Sequence, residues 1–420
     1  MKNVLIIPPF NPYPLISGGH QAIYNGIAIL EGVANVYVYI SSTESEHKRG
    51  ADKQLEKVLP FVHVLSDVFP VSHHTVRWYC SVLWNKLKNF DNSQKKEIIV
   101  IADERPEPET ILSEIGDISE HKVQFILKAI KKYNIDIVQV EMMPDIKIVD
   151  YLPHDIETIF VQHEIKYIRD ELLIKNMSGT TKELLERFQR NKREEIELHN
   201  KYDKVVTLSP TDSQKLIEAG VTTTIVTSLA VVNPSVGIEN SKQKVTKTLS
   251  YVGPESHYPN YDAIMWFLDN CWLKLQEKDS DYTLQIIGLW TDSTSSKLAE
   301  MYHNKVKCLG FVSDLANVLD GTTMIVPINI GSGIRMKILE AAQLNVPVVT
   351  TPVGCEGLPI QNGVNGFITN DADEFVEDII KLQDAKLRNA FIANLREIIE
   401  NKYSLEALKK SRIAIYKEEQ

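Results

Sequence analysis

Cysteine is scarce in this sequence: Cys80, Cys271, Cys308 and Cys355 are scattered over 420 residues with no paired spacing. That excludes a disulfide framework and a zinc site built on close cysteine pairs, and it makes a reducing cytoplasm the expected home. No apolar run reaches the roughly 18 residues of a membrane helix, and the opening run VLII is cut off by Pro8 and Pro9 before a signal-peptide core could form. Positive charge is also in short supply. Lys and Arg total 46 against 56 Asp and Glu, a net −10, so nucleic acid is not an expected partner, because phosphate backbones select basic surfaces. A Gly-x-Gly-x-x-Gly fingerprint between the first strand and helix is missing, which disfavours a dinucleotide-dependent dehydrogenase. No Asp-x-Asp motif stands in a loop suited to a metal, and no carboxylate pair presents itself as the nucleophile and acid of a retaining hydrolase.

What is present is a strand–helix alternation that runs through the whole chain. At 43% hydrophobic and 24% charged residues the composition is that of a globular protein, and the length calls for two cores of about 200 residues each. NVLIIP, ANVYVYIS, KEIIVIA, NIDIVQVE, ETIFVQHEI and YDKVVTLSP are apolar strand candidates, with helical spacing in HQAIYNGIAILEG and HKVQFILKAIKKY. A long charge-laced helical region follows Arg169, with a break expected at Ser178 and Gly179. Residues 228–244 lose periodicity, and the alternation restarts with KTLSYVGPES, YTLQIIGLW, VKCLGFVSDL, TTMIVPI, VPVVTTPVG and NGFITN. Strand–helix alternation predicts parallel sheets covered on both faces, whose ligands bind beyond the carboxyl ends of the strands. The expected domains are 1–228 and 229–400, with 401–420 as a terminal helix.

The densest chemistry lies in GSGIRMKILEAAQLNVPVVTTPVG, residues 331–354. A glycine-rich bend running into a helix offers backbone N–H groups and the positive end of the helix dipole to an anion, and Arg335 and Lys337 add charge. The same residues also suit a plain capped helix, with Ser332 as the cap, Gly331 and Gly333 as the bend, and two solvated cations. Glu340 sits inside the apolar stretch ILEAA, where a carboxylate needs a partner such as a ribose diol or a basic side chain; an ion pair with Arg335 or Lys337 is the alternative.

These residues, together with YVGPESHYPNYDAIMWFLDNCW, LQIIGLW and VKCLGFVSDL in the same order, resemble the GT-B-fold glycosyltransferases of family 4. The resemblance is close over the C-terminal half and looser over the N-terminal half. It implies two Rossmann-like α/β domains facing each other across a cleft, and transfer of a sugar from a UDP- or GDP-linked donor to a hydroxyl of a glycan or lipid-linked glycan. Retention of configuration and independence of metals or other cofactors belong to the same implication.

Residue by residue, the resemblance places the ribose contact on Glu340 and the donor phosphates and acceptor against the loop of Gly18 and Gly19, with the backbone of Gly331, Ser332, Gly333 and Ile334 meeting the donor sugar. It places base recognition on the backbone of Gly310, Phe311 and Val312. His163 matches a histidine near the reacting carbon, although a lone His in an apolar setting is more often structural; Glu164 beside it is a weaker candidate. Two departures stand out. Ser332 replaces a carboxylate that contacts the donor sugar in many members, and the loop after the first C-terminal strand carries Glu255 and His257 where many members have Arg and Lys. Arg335 and Lys337 are the expected substitutes. The final helix SLEALKKSRIAIYK resembles the family helix that crosses back to the N-terminal domain. VRWYCSVLWNKLKNF suits a membrane interface, the inner face of a membrane included, but core packing or an acceptor wall suits it better. A nucleotide-sugar epimerase, and a member that binds nucleotide-sugar without turnover, are the rival readings.

Overall fold

The computed structural model describes residues 1–69, 112, 114–177, 179–230 and 245–416. VRWYCSVLWNKLKNF, KEIIVIA, Cys80, Ser178 and most of the 228–244 segment lie outside the described residues. Two parallel sheets organise the rest. The first has seven strands: β1 Asn3–Ile7, β2 Asn35–Thr43, β3 Val62–Phe69, β4 Ile137–Glu141, β5 Glu157–Gln162, β6 Lys204–Thr207 and β7 Thr224–Thr227. The second has six: β8 Thr248–Val252, β9 Thr283–Ile287, β10 Val306–Gly310, β11 Thr323–Val326, β12 Val348–Thr350 and β13 Phe367–Ile368. Their spatial orders are β3-β2-β1-β4-β5-β6-β7 and β10-β9-β8-β11-β12-β13. This is the GT-B architecture, two Rossmann-like domains across a cleft.

Burial on both faces explains why the central strands read as unbroken apolar runs. Val4, Leu5, Ile6 and Ile7 of β1 and Met324, Ile325 and Val326 of β11 are fully buried. Strand order reverses between β1 and β4 and again between β8 and β11, and such switch points open a crevice at the carboxyl ends. The loops after those strands carry nearly all the candidate residues.

Two strands escaped the sequence reading. In β3 the apolar alternation is interrupted by Asp67, which is buried because Tyr39 Oη donates to it at 2.8 Å and His121 Nε2 pairs with it at 2.7 Å. The edge strand β7, TIVT, is only partly covered and shows no clean pattern. The expected helical break is present: one helix ends at Asn176, the next starts at Lys182, and Gly179 between them has φ +87°.

The last helix, Leu405–Ala414, lies against the first sheet. Ile415 O accepts from Lys204 Nζ at 3.2 Å, and Tyr416 Oη donates to Gln139 on β4 at 2.5 Å. Other contacts join the two sheets around the cleft mouth. Lys215 pairs with Glu356 at 2.5 Å, and Ser332 Oγ donates to Ile165 O at 2.8 Å.

Gly333 is the tightest of these joints. Its φ is +73°, and a Cβ added there would stand 2.0 Å from the carbonyl oxygen of His163. Gly333→Ala is therefore expected to destabilise the protein by about 1–3 kcal/mol from backbone strain alone, with a further loss from pushing the domains apart. Urea unfolding measures this, and a variant as stable as the parent would show that the loop is not seated as described.

Candidate active site

A cleft of about 1070 Å³ runs between the two sheets and is lined from both sides. Its C-terminal wall is the loop after β11 and the helix Met336–Gln343. Ser332 does not cap that helix. Arg335 holds the capping position with extended backbone and no side-chain bond of the capping kind, while the Ser332 hydroxyl is committed to Ile165 O across the cleft.

The Arg335 guanidinium folds back over its own loop. Nη1 donates to Ser332 O at 2.5 Å and to Gly333 O at 2.6 Å. Gly331, φ +140°, provides the space: a Cβ there would meet Nη2 at 2.8 Å. Nη2 itself is buried without a hydrogen-bond partner among the described residues. Burial pushes the Arg335 pKa down, opposed by Glu164, Glu356 and Asp212. An unpaired buried N–H costs about 1–3 kcal/mol, so this group is set to gain from an anion in the cleft.

Two residues further on, the Lys337 ammonium lies 4.0 Å above the Tyr251 ring and donates to Asn260 Oδ1 at 2.9 Å. Burial pushes its pKa well below the usual lysine value, with Arg335 adding to the effect. Asn260 is held by Tyr251 Oη at 2.8 Å and donates to Pro254 O at 2.9 Å, which ties Lys337 to the loop after β8. In that loop Glu255 is structural, accepting from Thr291 N and Thr294 Oγ1, both at 2.5 Å, at the head of the helix Asp292–Met301. His257 stands 4.0 Å from Glu164, and burial lowers its pKa.

Glu340 is 6% exposed and accepts a hydrogen bond from Gln21 Nε2 of the other domain. Among the described residues it forms no ion pair with Arg335 or Lys337. Burial pushes its pKa up to about 6, with the Gln21 bond and the Lys337 charge opposing. Gln21 belongs to the helix Gly18–Ala28, capped by Ser17, and Gly18 and Gly19 at its head line the cleft. A Cβ on Gly18 would stand 2.8 Å from Met336 Cβ, so only glycine lets the two helix starts come this close.

Phe311, Val312, Val252, Ile287 and Gly288 also line the cleft. Of the three residues expected at the base, Phe311 and Val312 line the cleft; Gly310 does not, and instead ends β10 with φ +69°. His163, after β5, lines the cleft and pairs with Glu141 at 2.6 Å. Glu164 pairs with Arg169 at 2.8 Å, and its pKa is lowered: burial raises it, but the Arg169, His257 and Arg335 charges together outweigh that.

Sequence reasoning missed Glu141, Gln21 and Asn260. Glu141 had a readable signal, since it is a carboxylate ending the apolar strand IVQVE at the functional edge of the sheet. Gln21 and Asn260 had none, because their roles come from residues far away in sequence.

Residues 246–385 match the family model described as Glycosyl transferases group 1. The chain is similar to UDP-Gal:alpha-D-GlcNAc-diphosphoundecaprenol alpha-1,3-galactosyltransferase of Escherichia coli, 26% identical over 99 residues, 23% of this chain and 26% of that protein. It is also 26% identical over 152 residues to an uncharacterized 44.6 kDa protein in the cps region of Klebsiella pneumoniae, covering 34% of this chain and 38% of that one. Each alignment thus spans well under half of the relative's length.

Solved structures match end to end. A variant of S. aureus TarM in complex with fondaparinux, alpha-GlcNAc-glycerol and UDP superposes with TM-score 0.67 at 11% identity, covering all of both chains. Sucrose-phosphate synthase from Thermosynechococcus elongatus gives 0.68 at 14% over 99% of this chain and 98% of that one. HepE from Anabaena in complex with UDP and glucose gives 0.62 at 14% over 99% of each. At these identities the likeness carries the fold.

Proposed function

From the match of residues 246–385 to the group 1 glycosyl transferase model and the two-sheet GT-B arrangement, we propose that this protein transfers a sugar from a nucleoside-diphosphate donor to a hydroxyl acceptor. The observation that carries the proposal is the wall Arg335–Glu340: a buried guanidinium with an unpartnered Nη2, a half-buried ammonium and a buried carboxylate in sequence along one helix start. A diphosphate requires fixed N–H donors and positive charge, and a ribose diol requires an acceptor one or two turns away. Arg335, Lys337 and the first N–H groups of the helix supply the former, Glu340 the latter.

Departure of the diphosphate leaves negative charge that these preorganised groups stabilise in a water-poor cleft, so the reading calls for no metal and no other cofactor. His163 faces the space between donor and acceptor, and the acceptor lies on the N-terminal side of the cleft. By the resemblance to family 4, the reading includes attack on the same face as departure, with retention of configuration. The galactosyltransferase relative, named for a UDP donor and a lipid-diphosphate acceptor, makes UDP-sugars and lipid-linked glycans the first substrates to try. Peripheral contact with a membrane would follow from a lipid-linked acceptor. Among the described residues no helix is long and apolar enough to cross a membrane.

Incubation with UDP- and GDP-hexoses and such acceptors separates the readings. A new glycoside supports transfer, an isomerised donor would mean an epimerase, and binding without turnover would mean a sensor. NMR of the product's anomeric signal decides retention against inversion.

Glu340 contributes a pH dependence that its replacement by Gln isolates. With its pKa near 6, the carboxylate is ionised and able to accept ribose hydroxyls at pH 7.5, and is mostly protonated at pH 5.0. Affinity for a UDP-sugar, whose diphosphate does not titrate in this range, is expected to fall about tenfold between those two values. Glu340→Gln should show a flat profile in calorimetry. A wild-type profile that is equally flat would contradict the assignment.

A further inference from the structure

Three buried side chains connect the end of the chain to His163. Tyr416 Oη donates to Gln139 Oε1 at 2.5 Å, Gln139 Nε2 donates to Glu141 Oε1 at 2.5 Å, and His163 Nε2 pairs with Glu141 Oε2 at 2.6 Å. Gln139 is 1% exposed, Glu141 2% and Tyr416 5%, so water does not compete for these bonds. The direction of the chain follows from its centre. An ionised carboxylate only accepts, so both of its neighbours must donate to it. Gln139 therefore turns its NH₂ toward Glu141 and its carbonyl toward Tyr416, and a neutral His163 carries its proton on Nε2. Nδ1 is left with its lone pair on a ring that lines the cleft, and it has no hydrogen-bond partner among the described residues.

We propose that Glu141, Gln139 and Tyr416 are positioning residues that hold His163 in one tautomer and orientation, and that they make this orientation depend on the seating of the C-terminal segment. The inference rests on the reading of His163 as the histidine that meets the reacting sugar. Through Nδ1 the imidazole accepts a hydrogen bond from a sugar hydroxyl, which the other tautomer could not do. Tyr416 follows the helix that packs from the second domain's end of the chain onto the first sheet. A shift of that helix therefore reaches the cleft through two side chains and no covalent link.

The test compares wild type, Glu141→Gln and Tyr416→Phe by ¹⁵N-histidine NMR, with the His163 signal assigned as the one lost in His163→Ala. The same proteins are assayed for transfer and for UDP affinity. Wild type should show the Nε2-protonated tautomer, and both variants a shift toward the Nδ1-protonated form. Glu141→Gln should lower kcat about 10- to 100-fold and Tyr416→Phe about 3- to 10-fold, each with UDP affinity unchanged, as for other groups that orient a functional histidine. Tyr416→Phe removes a single oxygen and carries the test alone if Glu141→Gln does not fold. Unchanged tautomer and kcat in folded variants would overturn the proposal, as would a loss confined to UDP affinity. Wild type that turns over no donor would count against glycosyl transfer itself, while the tautomer spectra would still decide the hydrogen-bond chain.

Discussion

Replacing Glu340 with alanine is expected to abolish the stabilisation that UDP confers on this protein. A ligand that binds only the folded state adds about 2.7 kcal/mol at one hundred times its Kd, so a thermal-shift titration reads affinity directly. Hydrogen bonds to a charged acceptor contribute about 1.5–3 kcal/mol each, and a ribose diol makes two. Their loss corresponds to about 3 kcal/mol or more, roughly 100-fold in Kd. The ligand-free protein should lose much less, because the same substitution removes a carboxylate that burial already penalises. The informative quantity is therefore the ligand-dependent part of the shift. Equal UDP stabilisation in Glu340→Ala and wild type would remove Glu340 from the donor site and reduce its pairing with Gln21 to a domain contact.

The second large effect is expected from Arg335→Ala combined with Lys337→Ala. Here the comparison is between UDP and uridine. Both cations act on phosphate, so UDP affinity should fall roughly 100-fold or more, from charge-assisted bonds of about 1.5–3 kcal/mol each, while uridine affinity stays near its wild-type value. Arg335→Lys should not rescue the loss. The guanidinium spans Ser332 O and Gly333 O with Nη1 while Nη2, packed against Gly331, keeps a further N–H donor pair unpartnered, and a single ammonium cannot reproduce that fork. If uridine and UDP weaken together, the helix start has collapsed and the pair is structural. If neither weakens, the diphosphate lies elsewhere, and His257 and Arg169 become the next candidates on charge and position in the cleft.

Much of the fold was legible because burial on both faces leaves a simple imprint. Strands such as NVLII and TMIV are apolar throughout, and the helices between them keep one apolar stripe. The strands that escaped detection were those whose environment breaks the imprint: β3, where Asp67 is stabilised by Tyr39 and His121, and the edge strand β7. Glu340 was legible as a carboxylate out of place among apolar neighbours. Its partner was not, since Gln21 lies 319 residues away.

The helix cap shows the limit of local reasoning. Ser332 has the sequence of an N-cap, yet its hydroxyl is taken by Ile165 O, 167 residues distant, and Arg335 occupies the capping position instead. A short-range preference worth about 1 kcal/mol yields when domain docking offers the same hydroxyl a buried acceptor. Glu255 makes the same point: a charge that looked like a misplaced phosphate-loop residue is turned aside to Thr291 and Thr294.

By itself, then, the sequence determined two parallel α/β sheets, a glycine-rich turn ahead of a helix bearing Arg335, Lys337 and Glu340, and a histidine at a strand end, because periodicity and turn chemistry act over a few residues. Only the tertiary structure decided which atoms meet: within the first sheet Glu141 with His163, with Tyr416 behind them, and across the cleft Gln21 with Glu340 and Ser332 with Ile165. The two pairings across the cleft depend on how the two sheets dock. Docking is set by the shape and hydrogen-bonding needs of the whole interface, which no local stretch of the chain encodes.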